Sequence, residues 1–165
     1  MTHPFVFDFS VHKENKTIQI RRDFAADVAT VWAAWTTPEL LDKWWAPKPF
    51  RIQTKSMDFK VGGHWLYGMV SPEGVIHWSR TYYKTIDPLK SYSGLDAFCD
   101  EAGNINPAFP SSSWTNRFQD NATHTTVHIQ LVFQTLTDLE KLIELGFKEG
   151  FTAILGNLDE LLVSL

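Results

Sequence analysis

The C-terminal segment GFKEGFTAILGNLDELLVSL (146–165) determines the fold that this 165-residue sequence predicts. Its apolar residues recur at three- and four-residue spacings, with polar and charged residues between them. They are Phe147, Phe151, Ile154, Leu155, Leu158, Leu161 and Leu162. The pattern predicts an amphipathic helix about 25 Å long, whose apolar face needs a partner surface.

The chain before this helix supplies a β-sheet as that partner surface. Between residues 50 and 133, short apolar runs are separated by turn residues such as Gly62-Gly63 and Asp87-Pro88, which are typical of strands joined by tight turns. The spacing predicts six antiparallel strands in a meander. The last of them, at 127–133, alternates apolar and polar residues as a half-buried strand does.

The N-terminal part predicts a hairpin followed by two short helices. Residues 1–16 contribute a strand extension that pairs with the first core strand, at 17–24. The alternating apolar residues are Phe5, Phe7 and Phe9 in the extension, and Ile18 and Ile20 in the core strand. Apolar spacings of three and four residues predict a helix after Asp27, and Pro38 begins a second helix that Pro47 ends.

The resulting order of elements is that of an α+β protein. A further short helix is expected from Thr137 until Gly146 breaks the chain before the long terminal helix. The length suits a single domain over 1–165, in which the terminal helix covers one face of a curved antiparallel sheet. Because a curved sheet and a helix do not close uniformly along their length, we expect a gap between them. This gap is the predicted site.

The composition excludes several classes of function. A net charge of −4, with 15 Lys and Arg residues spread along the chain, gives no basic patch for nucleic acid. The sequence contains no run of about 18 apolar residues, so we expect no membrane span. Because Cys99 is the single cysteine and the polar opening lacks signal-peptide features, we expect a cytoplasmic protein.

Aromatic residues are more numerous than one small core needs, with seven Trp and twelve Phe. Large aromatic side chains often line apolar ligand sites, and several share a strand face that we predict to border the gap. We expect Gly150 to remove side-chain volume where the helix meets the sheet. The predicted ligand-binding residues are Trp45, Trp65, Tyr67, Trp78, Arg80, Tyr82, Trp114, Phe118, Gly150 and Phe151. Core packing is the alternative role of the aromatic residues.

Arg80 is the charged member of this set. A guanidinium between Trp78 and Tyr82 on an otherwise apolar face needs a partner, either an internal acid or a ligand carboxylate. The alternative is that the opposite face of this strand points inward. That face carries His77, Ser79, Thr81 and Tyr83.

We predict no catalytic residue, no metal and no cofactor. His124 and His128 would lie about 13 Å apart on a strand, too far to share one ion. Cys99 has no adjacent base, and Ser111-Ser112-Ser113 lacks the glycines of a nucleophile elbow. Gly62-Gly63 lacks the following helix and the Lys of a phosphate-binding loop.

Four short motifs carry a resemblance to a known family. They are WWAP (44–47), MDFKVGG (57–63), MVSPEG (69–74) and GFKEGF (146–151). In this order they resemble landmarks of the domain found in homologues of the activator of heat-shock protein 90 ATPase, within the START-like (SRPBCC) superfamily. The resemblance implies a helix-grip fold that encloses a hydrophobic cavity, and covers most of the chain. Ala46 departs from the family, which often has Gly there.

Three functional hypotheses remain open at this point. The first is binding of a hydrophobic or aromatic small molecule in the gap, without covalent catalysis. The second, implied by the resemblance, is a module that interacts with a chaperone. The third is a cyclase-like or hydrolase-like enzyme that uses Arg80, His77 and Tyr82 as acid and base. We expect a monomer or a homodimer.

Overall fold

A computed structural model of the protein describes residues 7–165. The elements in chain order are β1 (Phe7–His12), β2 (Thr17–Phe24), α1 (Val28–Thr36), α2 (Pro38–Trp44), β3 (Arg51–Asp58), β4 (His64–Val70), β5 (Ile76–Asp87), β6 (Ser91–Cys99), β7 (Ser112–Asp120), β8 (Thr125–Val132), α3 (Leu136–Glu144) and α4 (Phe147–Ser164). A 3₁₀ turn, Lys13–Asn15, joins β1 to β2. Phe5 and the rest of the predicted extension before Phe7 lie outside the described residues.

One antiparallel sheet of eight strands forms the body of the molecule, in the order β1-β2-β8-β7-β6-β5-β4-β3. The six strands from β3 to β8 are a meander, as the sequence predicts, and β2 pairs with β8 over its full length. The sheet is curved, and α4 lies against its inner face. The helix-grip fold is therefore confirmed.

Local sequence signals explain where the helices begin. The Asp27 carboxylate accepts a hydrogen bond from the Thr30 amide at 2.8 Å and caps α1. Pro38 occupies the first turn of α2, where the missing amide hydrogen costs nothing. The Thr135 hydroxyl accepts a hydrogen bond from the Asp138 amide at the start of α3. Each cap matches a boundary that the sequence predicts to within two residues.

The core lies between the inner face of the sheet and helices α1, α2 and α4. Helix α4 buries Phe151, Ile154, Leu155, Leu158 and Leu162. On the two short helices, the rings of Trp35 and Trp44 meet edge to face at 4.9 Å, and the Trp44 indole donates a hydrogen bond to the Ala34 carbonyl. Part of the aromatic excess is therefore core packing.

Gly146 joins α3 to α4 with a φ of +89°, in the left-handed region. Replacing Gly146 by Ala forces a Cβ into this conformation, so we expect the free energy of unfolding to fall by about 1–2 kcal/mol. Urea denaturation followed by circular dichroism measures the change.

Gly150, one turn into the same helix, is the matched control. A Cβ built there meets nothing within 4 Å, so Gly150→Ala should raise the free energy of unfolding by about 0.5–1 kcal/mol through helix propensity. Changes of the same sign in the two variants would contradict the assignment of Gly146 as a conformational requirement.

Candidate functional site

A cavity of about 300 Å³ lies between the inner face of the sheet and helices α3 and α4. We call it the helix–sheet cavity. Its aromatic lining residues are Trp45, Tyr67, Phe98, Trp114, Phe147 and Phe151. The predicted gap between sheet and terminal helix is therefore present.

Strand pairing decides which side chains face the cavity. Directly opposed residues on antiparallel strands share one face of a sheet. One such row runs from Tyr67 through Ser79 to Phe98, and all three residues line the cavity. A second row runs through Thr81 and Asp96 to Ser112. The inner face of the sheet thus has aromatic and small polar residues side by side.

The aromatic rings pack on one another around the cavity. The Phe151 ring lies 5.7 Å from Trp114 and 5.9 Å from Trp45, both edge to face, and stacks on Phe147 at 5.2 Å. The Trp45 indole donates to the Tyr67 hydroxyl at 3.2 Å, and the Trp114 indole donates to the Ser112 hydroxyl at 2.8 Å. Because both indole N–H groups are already hydrogen-bonded, these tryptophans offer carbon surface to the cavity.

Asp96 is the acidic residue of the lining, and it is not among the residues predicted from the sequence. The Thr81 hydroxyl donates a hydrogen bond to its Oδ1 at 2.7 Å. Burial raises the pKa of the Asp96 carboxyl from its ordinary value of 3.8 to about 7, although the Thr81 hydrogen bond acts in the opposite direction. The signal was the alternation of Tyr92, Gly94, Asp96 and Phe98, which places this acid on an aromatic face.

A smaller chamber of about 20 Å³ lies on the other side of Asp96, deeper in the core. The side chains of Trp35 and Asn116 border it, and each is at least 98% buried. The indole Nε1 of Trp35 and the Oδ1 of Asn116 have no hydrogen-bond partner within residues 7–165. Burial raises the pKa of the nearby Tyr83 and Tyr92 phenols far above their usual range. Asp96 therefore borders both the helix–sheet cavity and a chamber whose other lining residues are uncharged.

Five of the predicted ligand-binding residues line the helix–sheet cavity. They are Trp45, Tyr67, Trp114, Gly150 and Phe151. Because nothing lies within 4 Å of a Cβ built at Gly150, the missing side chain leaves open space beside the aromatic rings. This placement supports, for these five, the predicted position beside a ligand.

Trp65 and Phe118 face inward but belong to the adjoining core. The Trp65 ring stacks on Tyr67 at 3.9 Å and borders the small chamber. Phe118 packs against Trp32 and Trp35, with ring centroids 5.0 and 6.0 Å away. For these two residues the alternative of core packing describes the structure.

Trp78, Arg80 and Tyr82 require a correction, because they lie on the outer face of the sheet. The Arg80 guanidinium stacks on the Tyr82 ring at 4.5 Å, and a Cβ at Gly103, in the loop between β6 and β7, would collide with that guanidinium. The guanidinium therefore meets an aromatic ring instead of either expected partner, an internal acid or a ligand carboxylate. The prediction failed because β5 carries aromatic residues on both faces, so alternation alone did not choose between them.

The alternative interpretation of β5 is the one observed. Ser79 lines the cavity, and Thr81 and Tyr83 are buried on the inner face. His77 shares that face through its pairing with Met69. Since Arg80 and Tyr82 lie on the opposite side, the three groups of the enzyme hypothesis do not converge in the cavity.

Within residues 7–165, no group of three or more His, Cys, Asp or Glu side chains is arranged to hold a metal ion. None of the helices in the same part of the chain is both long and apolar enough to cross a bilayer.

The raised pKa of Asp96 makes stability depend on pH. Between pH values of about 4 and 7 the folded protein binds a proton at Asp96 that the unfolded chain has released, so the free energy of unfolding falls as pH rises through this window. The slope from this carboxyl is at most about 1.4 kcal/mol per pH unit. Above pH 7 its contribution is constant.

Asp96→Asn isolates this effect, because the amide still accepts the Thr81 hydrogen bond but does not titrate. Urea denaturation of both proteins from pH 4 to 8 should show the variant gaining stability relative to the wild type as pH rises to 7. A difference that stays constant over this range would contradict the raised pKa.

Comparisons with known proteins extend this description. Residues 25–163 match the family model described as "Activator of Hsp90 ATPase homolog 1-like protein". Among curated proteins none matches.

Several solved structures are similar over nearly the whole chain. A protein from Arthrobacter aurescens is 26% identical with a TM-score of 0.90, covering 96% of this chain and 92% of its own. One from Mycobacterium smegmatis is also 26% identical, with a TM-score of 0.87 and coverages of 96% and 97%. One from Nitrosomonas europaea is 27% identical, with a TM-score of 0.78 and coverages of 91% and 96%. The family match spans the two short helices, the meander and the long C-terminal helix, and the chain therefore belongs to the family of activator of Hsp90 ATPase homolog 1-like proteins.

Proposed function

We propose that this protein binds an apolar or aromatic small molecule in the helix–sheet cavity, without covalent catalysis. The observation that carries the proposal is a cavity of about 300 Å³ lined on several sides by aromatic rings. This volume is at the lower end of the range of about 300–1,000 Å³ that is usual for ligand pockets. A ligand with two fused rings fits such a volume.

Gly150 supports the proposal because its position adds volume to the cavity. A glycine inside a helix costs about 1 kcal/mol relative to alanine, and a Cβ at this position would meet no neighbour. The cost is therefore not explained by close packing of α4 against the sheet. At Gly150 the open space lies at the cavity wall.

The aromatic lining provides the binding free energy. Removing about 200 Å² of apolar ligand surface from water contributes about 5 kcal/mol, of which a part offsets the lost translational and rotational freedom. Ring contacts with Trp45, Trp114 and Phe151 add edge-to-face interactions. We therefore expect simple bicyclic probes to bind with dissociation constants in the high micromolar to millimolar range.

The titratable groups of the lining favour binding over covalent chemistry. Within residues 7–165 they are the Asp96 carboxyl and the Tyr67 phenol. Burial raises the pKa of the Tyr67 phenol well above its usual range, and its oxygen accepts the Trp45 indole hydrogen. Burial also raises the pKa of the Cys99 thiol, which makes a poor nucleophile.

Family membership supports a START-like ligand-binding module or a chaperone-associated module. The cavity favours the ligand-binding module. We place this activity in the cytoplasm, in agreement with a chain whose single cysteine is free.

Blocking the cavity tests the proposal. Gly150→Leu puts a branched side chain into the open space, so we expect 1-naphthalenemethanol, a neutral bicyclic probe, to lose at least tenfold in affinity. Gly156→Leu is the matched control, since Gly156 is a second α4 glycine with open space at its Cβ that does not line the cavity. We expect it to bind like the wild type.

The indole resonances of the seven tryptophans report the binding site in ¹H–¹⁵N spectra. Those of Trp45 and Trp114 should shift on titration, whereas that of Trp78, on the outer face, should not. No shift at Trp45 and Trp114 with neutral aromatic, lipid and polyketide probes would refute the proposal.

A further inference from the structure

We infer that the ligand of the helix–sheet cavity is an organic amine, whose apolar body lies among the aromatic rings and whose ammonium group pairs with Asp96. This inference rests on the proposed function and adds the chemical class of the ligand. It follows from the charge of the lining, the position of the carboxyl and the kind of rings around it.

The charged side chains of the cavity lining are of one sign only, namely negative, among the described residues. Within residues 7–165 the lining contains the Asp96 carboxyl and no Lys, Arg or His side chain. Arg80, which would give a carboxylate ligand its partner, stacks on Tyr82 on the other face of the sheet. An anionic ligand would therefore lose its hydration without gaining a counter-charge. A cationic ligand would gain the Asp96 carboxylate as its counter-charge.

The Asp96 carboxyl has room for such a partner. It lines the cavity and is half-buried, and the Thr81 hydroxyl donates to its Oδ1. A carboxylate offers about four acceptor positions, so the Thr81 hydrogen bond leaves capacity for the N–H groups of an ammonium. Hydrogen bonds between two charged groups are about twice as strong as neutral ones.

The aromatic lining also favours a cation. Ring faces attract ammonium groups, most strongly those of tryptophan, and the attraction grows when water is excluded. Trp45 and Trp114 line the cavity, and each is at most 9% exposed. Tyr67 lies beside Trp45, joined by the indole hydrogen bond. Aromatic rings together with one carboxylate are the chemistry that recognises organic ammonium ions.

Binding of an amine should depend on pH through Asp96. In the folded protein without ligand, the Asp96 carboxyl has a pKa of about 7. At lower pH it is protonated, so the ammonium has to displace that proton. The groups that interact with this carboxyl are the phenols of Tyr67, Tyr83 and Tyr92, together with the Thr81 hydroxyl. The pKa of each phenol is raised far above neutral pH. Helices α3 and α4 contribute no charged side chain to the lining within the described residues.

Three probes of nearly equal shape test the inference, all at pH 8 and read out on the indole resonances of Trp45 and Trp114. They are 1-naphthylmethylamine, 1-naphthalenemethanol and 1-naphthoate. We expect the amine to bind at least tenfold more tightly than the alcohol, which corresponds to about 1.4 kcal/mol, and the carboxylate to bind most weakly. In the Asp96→Asn variant the amine should lose its advantage, while affinity for the alcohol changes less than about threefold.

The pH dependence of the wild type gives a second measurement that needs no variant. Between pH 5.5 and 8 the affinity for the amine should rise about thirtyfold, as expected when a carboxyl with a pKa of about 7 releases one proton, and the affinity for the alcohol should stay constant. If the alcohol binds in the cavity but the amine has neither the advantage nor this pH dependence, the inference is wrong and the proposed function stands. If none of the three probes shifts Trp45 or Trp114, both are wrong.

Discussion

The apolar face of α4 can be buried only against the inner face of the sheet, and the size of the side chains between them sets their separation. Along Leu155, Leu158 and Leu162 the helix packs closely into the core. At its N-terminal end, Phe147 and Phe151 meet Trp45 and Trp114 edge to face. Beside these rings α4 and the sheet do not close on each other, and the helix–sheet cavity lies there.

The incomplete cover of the sheet by α4 also explains why a carboxyl is tolerated in the cavity. Asp96 lies where the sheet is not sealed by α4, so it is half-buried rather than enclosed. Thr81, the residue paired with it on β5, supplies a hydrogen bond. A neutral carboxyl with one good hydrogen bond costs far less than an isolated charge in the same place. Polarity within the cavity therefore depends on the pairing of two strands.

Most of the fold could be predicted from the sequence, because it depends on periodicity and on turn and capping residues. Asp27, Pro38 and Gly146 mark helix boundaries through local backbone chemistry, which does not require knowledge of distant contacts. The meander follows from short alternating runs. The four family motifs predict the same architecture independently of these patterns, and the family match agrees with them.

The site could be predicted only in part, for reasons that concern individual strands. On β4 and β7 the aromatic residues lie on one face, so alternation correctly placed Tyr67 and Trp114 in the cavity. On β5, Tyr82 and Tyr83 are adjacent aromatic residues, and the choice of face depends on pairing with β4 and β6. Asp96 was missed because a lone acid on a strand looks like a surface residue until its neighbours in space are known.

Arg80 and Thr81 are adjacent on β5, and they meet opposite environments: an aromatic ring on the outside and the Asp96 carboxyl on the inside. A shift of the strand by one residue would exchange these faces. The cavity wall would then carry a guanidinium in place of a hydroxyl, and this cation would offset the charge of the Asp96 carboxyl opposite it. In this fold the register of β5 therefore sets the net charge of the cavity wall, and a bulge or a one-residue insertion in that strand would remove the one-sided charge that Asp96 gives to the lining.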